Sequence, residues 1–224
     1  MNIEPIAVIH TDFQDKFGIP RQSGRVPELM GKIVFFQKYR RKEAFRGISE
    51  FSHLWLIFDF SESHTKEWSP TVRPPRLGGN QRIGVFATRS PFRPNPLGLS
   101  CVKLERVEHS AEEGTILMVS GVDLLDGTPI YDIKPYIPYT DSRTDAKGSY
   151  ADELQSYQLK VNFPPELLNI IPKEKQNAVY ACLADDPRPS YQNDPERVYH
   201  MRFAGYDIHF KVNETILTVI AIDN

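Results

Sequence analysis

Residues 99–133, LSCVKLERVEHSAEEGTILMVSGVDLLDGTPIYDI, decide the fold. Leu99 to Val107, Thr115 to Val119 and Pro129 to Ile133 are apolar or β-branched and are parted by polar, glycine-bearing segments, so they read as consecutive strands. Asp126-Gly127 is a turn signal. The connections are loops rather than helices of about 10–15 residues, which disfavours a repeated β-α-β layout and favours an antiparallel sheet or barrel. Reading towards the N-terminus gives more of the same. Ile3 to His10, Lys32 to Phe36 and Phe51 to Phe60 are expected strands, and Arg40 to Gly47 is an expected short helix. Residues 11–30, broken by Gly18, Pro20, Gly24 and Pro27, form a long loop. Phe51, Trp55, Phe58 and Phe60 are expected in the core rather than on a base-stacking platform.

Residues 69–98 contain six prolines, four glycines and five arginines, with no acid. Only Ile83 to Ala87 looks like a strand there, and a long irregular loop in a compact domain is more often functional than filler. Towards the C-terminus, residues 140–152 (TDSRTDAKGSYAD) read as a linker, so the expected division is 1–145 and 146–224. Beyond it come a strand at Leu154 to Phe163, an amphipathic helical stretch interrupted at Pro172, and a meander of Val198 to Phe203, Tyr206 to Val212 and Thr215 to Ile222. A unit this small is marginal alone, so it is expected to dock on the first part or on a partner. The fold class is mainly β, a barrel-like N-terminal domain with a small α+β C-terminal domain.

Composition excludes several functions. The chain has 40% hydrophobic and 25% charged residues, as a globular protein does. Its longest apolar runs are too short to span a bilayer, and Met1 to Pro5 does not open a secretory signal, so the expected compartment is the cytoplasm. Cys101 and Cys182 form no CxxC pair. The sequence lacks GxGxxG after a strand, GxxxxGK[ST] and GxSxG, so a Rossmann site, a phosphate-binding loop and a hydrolase elbow are all unsupported. The histidines His10, His53, His64, His109, His200 and His209 show neither HxH nor HxxxH spacing, and no metal is expected. Net charge is −2, yet residues 20–94 carry fourteen Lys/Arg against six Asp/Glu. That imbalance points to a local anion-binding face.

Two constellations can carry chemistry. Arg73, Arg76, Arg89 and Arg93 lie in the acid-free loop, where guanidinium forks suit phosphate or carboxylate. Asp132, Lys134 and Tyr136 alternate along one strand and so share a face, as groups handling a proton would and as an ordinary exposed face also does. Phe17-Gly-Ile-Pro-Arg-Gln22 reads simply as a loop. The residues thus imply a polyanionic partner and no particular reaction.

Longer motifs go further. Arg73-Pro-Pro-Arg-Leu-Gly-Gly-Asn80 and Gly84-Val-Phe-Ala-Thr-Arg-Ser-Pro-Phe-Arg-Pro-Asn-Pro-Leu-Gly-Leu-Ser100 strongly resemble the TsaA-like family, also called TrmO. Phe17 to Gln22, Phe51-Ser-His-Leu-Trp55, Asp123 to Pro129 and Asp132 to Tyr136 fit it in order, and Asp186-Pro-Arg-Pro-Ser-Tyr191 resembles a segment of its bacterial C-terminal domain. The resemblance implies a TsaA-like β-barrel, usually a homodimer, that uses S-adenosyl-L-methionine to methylate N6 of N6-threonylcarbamoyladenosine at tRNA position 37, beside the anticodon. It implies a cofactor pocket lined by Pro20, Arg21, Gln22, Phe60, Ser61, Arg89, Leu99, Asp123, Leu124, Leu125 and Asp126. Asp132, Lys134 and Tyr136 then position the acceptor or take its proton, Arg89 or Arg93 clamps the threonyl carboxylate, and Arg73, Arg76, Arg188 and Tyr191 hold tRNA. Two other readings stand beside this one: a non-catalytic RNA-binding module, and a methyltransferase of the same fold with another acceptor.

Overall fold

The computed structural model describes residues 2–74, 81–154, 157–189, 192 and 194–223. Six strands, β1 (Ala7–His10), β2 (Met30–Phe35), β3 (His53–Asp59), β6 (Leu97–Ser110), β7 (Gly114–Ser120) and β8 (Thr128–Pro135), close into a barrel in the order β1-β2-β7-β6-β3-β8. Every neighbouring pair is antiparallel, as the loop connections require. Strict alternation fills the interior: β3 turns Leu54, Leu56 and Phe58 inward, and β6 answers with Gly98, Ser100 and Val102. Phe58 lies so close to Gly98 that a Cβ there would fall 2.2 Å from its ring, which accounts for the glycine in Pro96-Leu-Gly-Leu-Ser100.

Among its described residues the basic loop between β3 and β6 carries the two-residue strands β4 (Thr71–Val72) and β5 (Ile83–Gly84), and the strand expected to run on to Ala87 gives way at Val85–Ala87 to a 3₁₀ turn. The helix expected over Arg40 to Gly47 is a 3₁₀ turn at Lys42–Phe45, and Gly47, at φ 83°, stops it. A short helix α1 (Pro138–Asp141) opens the expected linker. Of the four aromatics expected in the core, Phe58 is buried, Trp55 and Phe60 are half-buried, and Phe51 is exposed.

The second part is a four-stranded sheet, β10 (Tyr199–Phe203), β11 (Tyr206–Asn213), β12 (Ile216–Asp223) and β9 (Lys160–Asn162), with β9 parallel to β12. Of the strand expected over Leu154 to Phe163, the described residues keep Lys160–Asn162. Helices α2 (Pro165–Leu168) and α3 (Lys173–Ala184) follow, separated at Pro172.

The long loop of residues 11–30 joins the two parts. Phe13 is fully buried and meets Phe203 edge-on at 5.4 Å, and Phe17 stacks near Tyr199 and Phe210. Gly18, at φ 95°, lets this loop pass within 2.5 Å of where Met201 would meet a Cβ. Lys175 pairs with Asp12 at 2.6 Å, Arg25 pairs with Asp185, and Arg21 donates to the Arg188 carbonyl at 2.8 Å. Docking on the first part is therefore the observed solution, through one continuous apolar core. Replacing Phe13 with Ala removes its largest plug. It is expected to cost about 3–5 kcal/mol of stability in urea unfolding; a loss below about 1 kcal/mol would show that the junction is not load-sharing.

Candidate functional site

The strongest convergence of polar groups lies beside the N-terminal end of β6. The chain leaving β7 continues antiparallel past it, which sets Asp123 opposite Ser100 just as Ser120 stands opposite Lys103. Ser100 is one of the few polar residues pointing into the barrel, and its hydroxyl donates to Asp123 Oδ1 at 2.6 Å. Burial drives the Asp123 carboxyl up to about 6, partly opposed by the Ser100 hydroxyl, by backbone N–H groups of Asp123 and Ser23, and by the Arg89 charge. The loop Pro20–Ser23 forms the adjacent wall. Ser23 Oγ accepts from the Cys101 N–H at 3.1 Å, Gln22 accepts from Arg89, and the Gly24 N–H donates to the Gly121 carbonyl at 2.8 Å. Outward alternation on β6 leaves Leu97 and Leu99 exposed at 40% and 56% on the rim.

Several expected residues meet here and others do not. Gln22, Arg89 and Asp123 meet beside the exposed Leu99, whereas the Arg21 side chain turns to the Arg188 carbonyl and Pro20 is buried. Phe60 flanks the rim by donating its N–H to the Pro96 carbonyl, and Ser61 opens an exposed turn beyond. Leu124 is buried, and its carbonyl accepts from Thr11, while the Leu125 carbonyl accepts from Thr128. The Asp126 carboxylate accepts from the Thr11 N–H and contacts His10, so it anchors the end of β1. Ser23 and Ser100 escaped the sequence reading; the only signal was a hydroxyl at an inward position of an otherwise apolar strand.

Asp132 and Lys134 share the outer face of β8, and Tyr136 follows just beyond its end, where its N–H donates to the His53 carbonyl. Asp132 is registered with Ile57, which is registered with Leu99, so two strand spacings of about 4.8 Å separate the trio from the rim. Lys134 pairs with Asp132 at 2.9 Å, and that hydrogen bond raises the lysine's proton affinity. The lysine is thus held as a cation against the Asp132 carboxylate. Tyr136 packs against Trp55 and His53.

In the basic loop, Arg82, Arg89 and Arg93 donate to neutral acceptors, respectively Thr71, Gln22, and the carbonyls of Val85 and Thr88. Their charge is therefore kept, although Arg93 is committed to shaping its own loop. Arg73 is exposed. Beside the loop, Phe86 is 74% exposed, 6.1 Å from Trp68 and under the Arg93 guanidinium, forming an aromatic platform the sequence reading did not find. Arg188 is not an exposed cation: its side chain is buried and grips Asp186 through Nε and Nη2, while Nη1 is buried without a hydrogen-bond partner among the described residues. Arg76 and Tyr191 lie outside the described residues.

The donor set fits S-adenosylmethionine: a buried carboxylate for a sulfonium or ammonium, exposed leucines for a flat apolar surface, and loop main chain for polar edges. A closed antiparallel barrel whose ligand mouth is built from loops, with an arginine-rich flank, defines a class apart from the doubly wound nucleotide-binding folds. Residues 8–142 match the family described as the tRNA-methyltransferase O N-terminal domain, and residues 156–224 match the TrmO C-terminal domain. The chain is 40% identical to the Escherichia coli tRNA (adenine(37)-N6)-methyltransferase over 228 residues, covering 98% of this chain and 97% of that one. It is 39% identical to a Pseudomonas aeruginosa protein named for S-adenosylmethionine-dependent methyl transfer, covering 93% and 91% of the two. The crystal structure of TrmO from Pseudomonas aeruginosa superposes with a TM-score of 0.78 at 31% identity, covering 100% of this chain and 99% of that one. The chain belongs to the TrmO family.

The raised Asp123 value has a definite sign. The unfolded carboxyl titrates near 3.9, so the folded protein loses stability as pH rises from about 4 through 6. Asp123→Asn lacks this loss. Its stability relative to the parent is expected to increase by about 2–3 kcal/mol between pH 4 and pH 7 in urea unfolding, whereas parallel curves would contradict the buried-carboxylate account.

Proposed function

We propose that this chain is an S-adenosylmethionine-dependent methyltransferase that methylates N6 of adenosine 37 in tRNA, and that its acceptor is the N6-threonylcarbamoyl form of that base. The observation that carries the reading is the half-buried Asp123 carboxylate, held by the Ser100 hydroxyl and opening beside an arginine-rich loop with an exposed aromatic platform. S-adenosylmethionine supplies an electrophilic methyl group on a cationic sulfonium. Asp123, held by Ser100, supplies the matching negative charge, and Pro20 to Ser23 with Leu97 and Leu99 supply the walls. The acceptor nitrogen belongs to a urea-like group and must lose its proton, which Asp132 or Tyr136 accepts while Lys134 holds the Asp132 carboxylate in place. Arg89, already turned toward Gln22, retains further N–H donors for the threonyl carboxylate. Arg73 faces the RNA backbone, and Trp68 and Phe86 offer ring faces to unstacked anticodon-loop bases.

In this reading residues 1–145 are the catalytic unit and residues 146–224 assist tRNA binding. The protein works as a homodimer in the cytoplasm with its tRNA. Among the described residues no helix is long and apolar enough to cross a membrane.

The test is transfer of labelled methyl to tRNA with and without the threonylcarbamoyl group, followed by nucleoside mass spectrometry. Methylated threonylcarbamoyladenosine from the modified tRNA alone is the expected product. Equal methylation of unmodified tRNA, or none of either with the cofactor bound, would reject the acceptor. Arg89→Ala is expected to lower kcat/KM about a hundredfold with little effect on folding, since the side chain is exposed. Binding of tRNA should weaken steeply with salt.

A further inference from the structure

The second part carries a side-chain cluster that methyl transfer does not use. On β11 one face is buried, at Ile208, Phe210 and Val212, so Asp207 and His209 point to the opposite, outer face. The register of β10 sets His200 directly across from His209, and that of β12 sets Asp223 directly across from Asp207. The His200, Asp207 and His209 donor atoms all lie within 4.8 Å of one another, in the one such group among the described residues. His200 Nδ1 is 3.3 Å from Asp207 Oδ2, and His209 Nε2 is 3.5 Å from the same oxygen and 3.3 Å from Asp223 Oδ2.

Hydrogen bonding explains this arrangement poorly. N–H···O contacts centre near 2.9–3.0 Å, and one Nε2 has one proton, which cannot serve two carboxylates. His209 Nε2 and Asp207 Oδ1 are buried without a hydrogen-bond partner. Two carboxylates directly opposite across a strand pair also repel one another. A divalent cation answers all three points. With bonds of about 2.0–2.1 Å, the edges of a tetrahedral zinc site are about 3.3–3.4 Å, close to the two Asp207–histidine separations, and the His200 and His209 nitrogens lie within 4.8 Å of one another. Two imidazoles and two carboxylates neutralise such an ion, and this nitrogen–oxygen set suits zinc and its first-row neighbours better than magnesium or calcium.

We infer that His200, Asp207 and His209 form a zinc-class transition-metal site on the outer face of the C-terminal sheet, which the exposed Asp223 carboxylate, 3.3 Å from His209, completes by turning in as fourth ligand, so that the ion ties β10, β11 and β12 together. The sequence places His200 and His209 in neighbouring strands but offers no cysteine or further histidine beside them; the carboxylates of Asp207 and Asp223 join them only through the strand register. The site lies in a different part of the molecule from the barrel mouth and is independent of the proposed reaction.

The experiment uses the full chain without a histidine tag, stripped of metal, and titrates zinc against a chromophoric chelator. One equivalent is expected to bind at micromolar concentration or tighter, with a rise in Tm. Cobalt(II) in its place should give the intense visible bands of four-coordination. His209→Ala and the near-isosteric Asp207→Asn should each weaken binding more than about tenfold, while His109→Ala, outside the cluster, leaves it unchanged. Absence of one-equivalent binding, a six-coordinate cobalt spectrum, or undiminished affinity in Asp207→Asn with its fold intact would overturn the inference.

Discussion

Closure of the barrel runs through its shortest strand. Ala7–His10 hydrogen-bonds β2 on one side and β8 on the other, so four residues hold the ends of the sheet together. Without them β2 and β8 would both present unpaired N–H and C=O groups. The strand is reinforced at its end: the Asp126 carboxylate accepts from the Thr11 N–H, and the Gly127 N–H donates to the Ile9 carbonyl. The Asp123–Asp126 segment is thereby pinned at both ends, by Asp126 to β1 and by Asp123 to β6. Barrel closure and the shape of the mouth are thus one constraint, and the mouth can be built from irregular chain because the strands around it cannot splay.

Much of this was legible in the residues. The alternation in Leu99 to Val107 and in the C-terminal meander follows from which face of each strand is buried, and it located those strands to within about three residues. What failed has local causes. Leu154 to Phe163 looked like a strand, but only Lys160–Asn162 finds a partner, on β12. Arg40 to Gly47 is too short and too interrupted to hold an α-helix.

The site was legible in part and for a different reason. Arg89, Asp123 and Gln22 were placed by the resemblance of long motifs; spacing alone gave a basic loop and an alternating acid, base and phenol. The partners that tune those groups, Ser23 and Ser100, are short hydroxyls whose role appears only when two distant segments are laid side by side. Arg188 shows the opposite error. A basic residue in a proline-framed segment looked like a phosphate ligand, but a carboxylate two residues earlier in the chain holds it buried.

The loop of residues 11–30 carries two loads at once. Its first half, through Phe13 and Phe17, is the foundation of the C-terminal sheet, and a few residues later it becomes the wall of the barrel mouth at Pro20 to Ser23. Arg21 spans the two halves by donating to the backbone of the second part. A tilt of the sheet therefore shifts the wall, and a ligand that stiffens the wall also stiffens the sheet. Thermodynamic linkage makes such an effect reciprocal: whatever free energy a partner docked on the second part would add to ligand binding at the mouth, the ligand would return to that partner's binding.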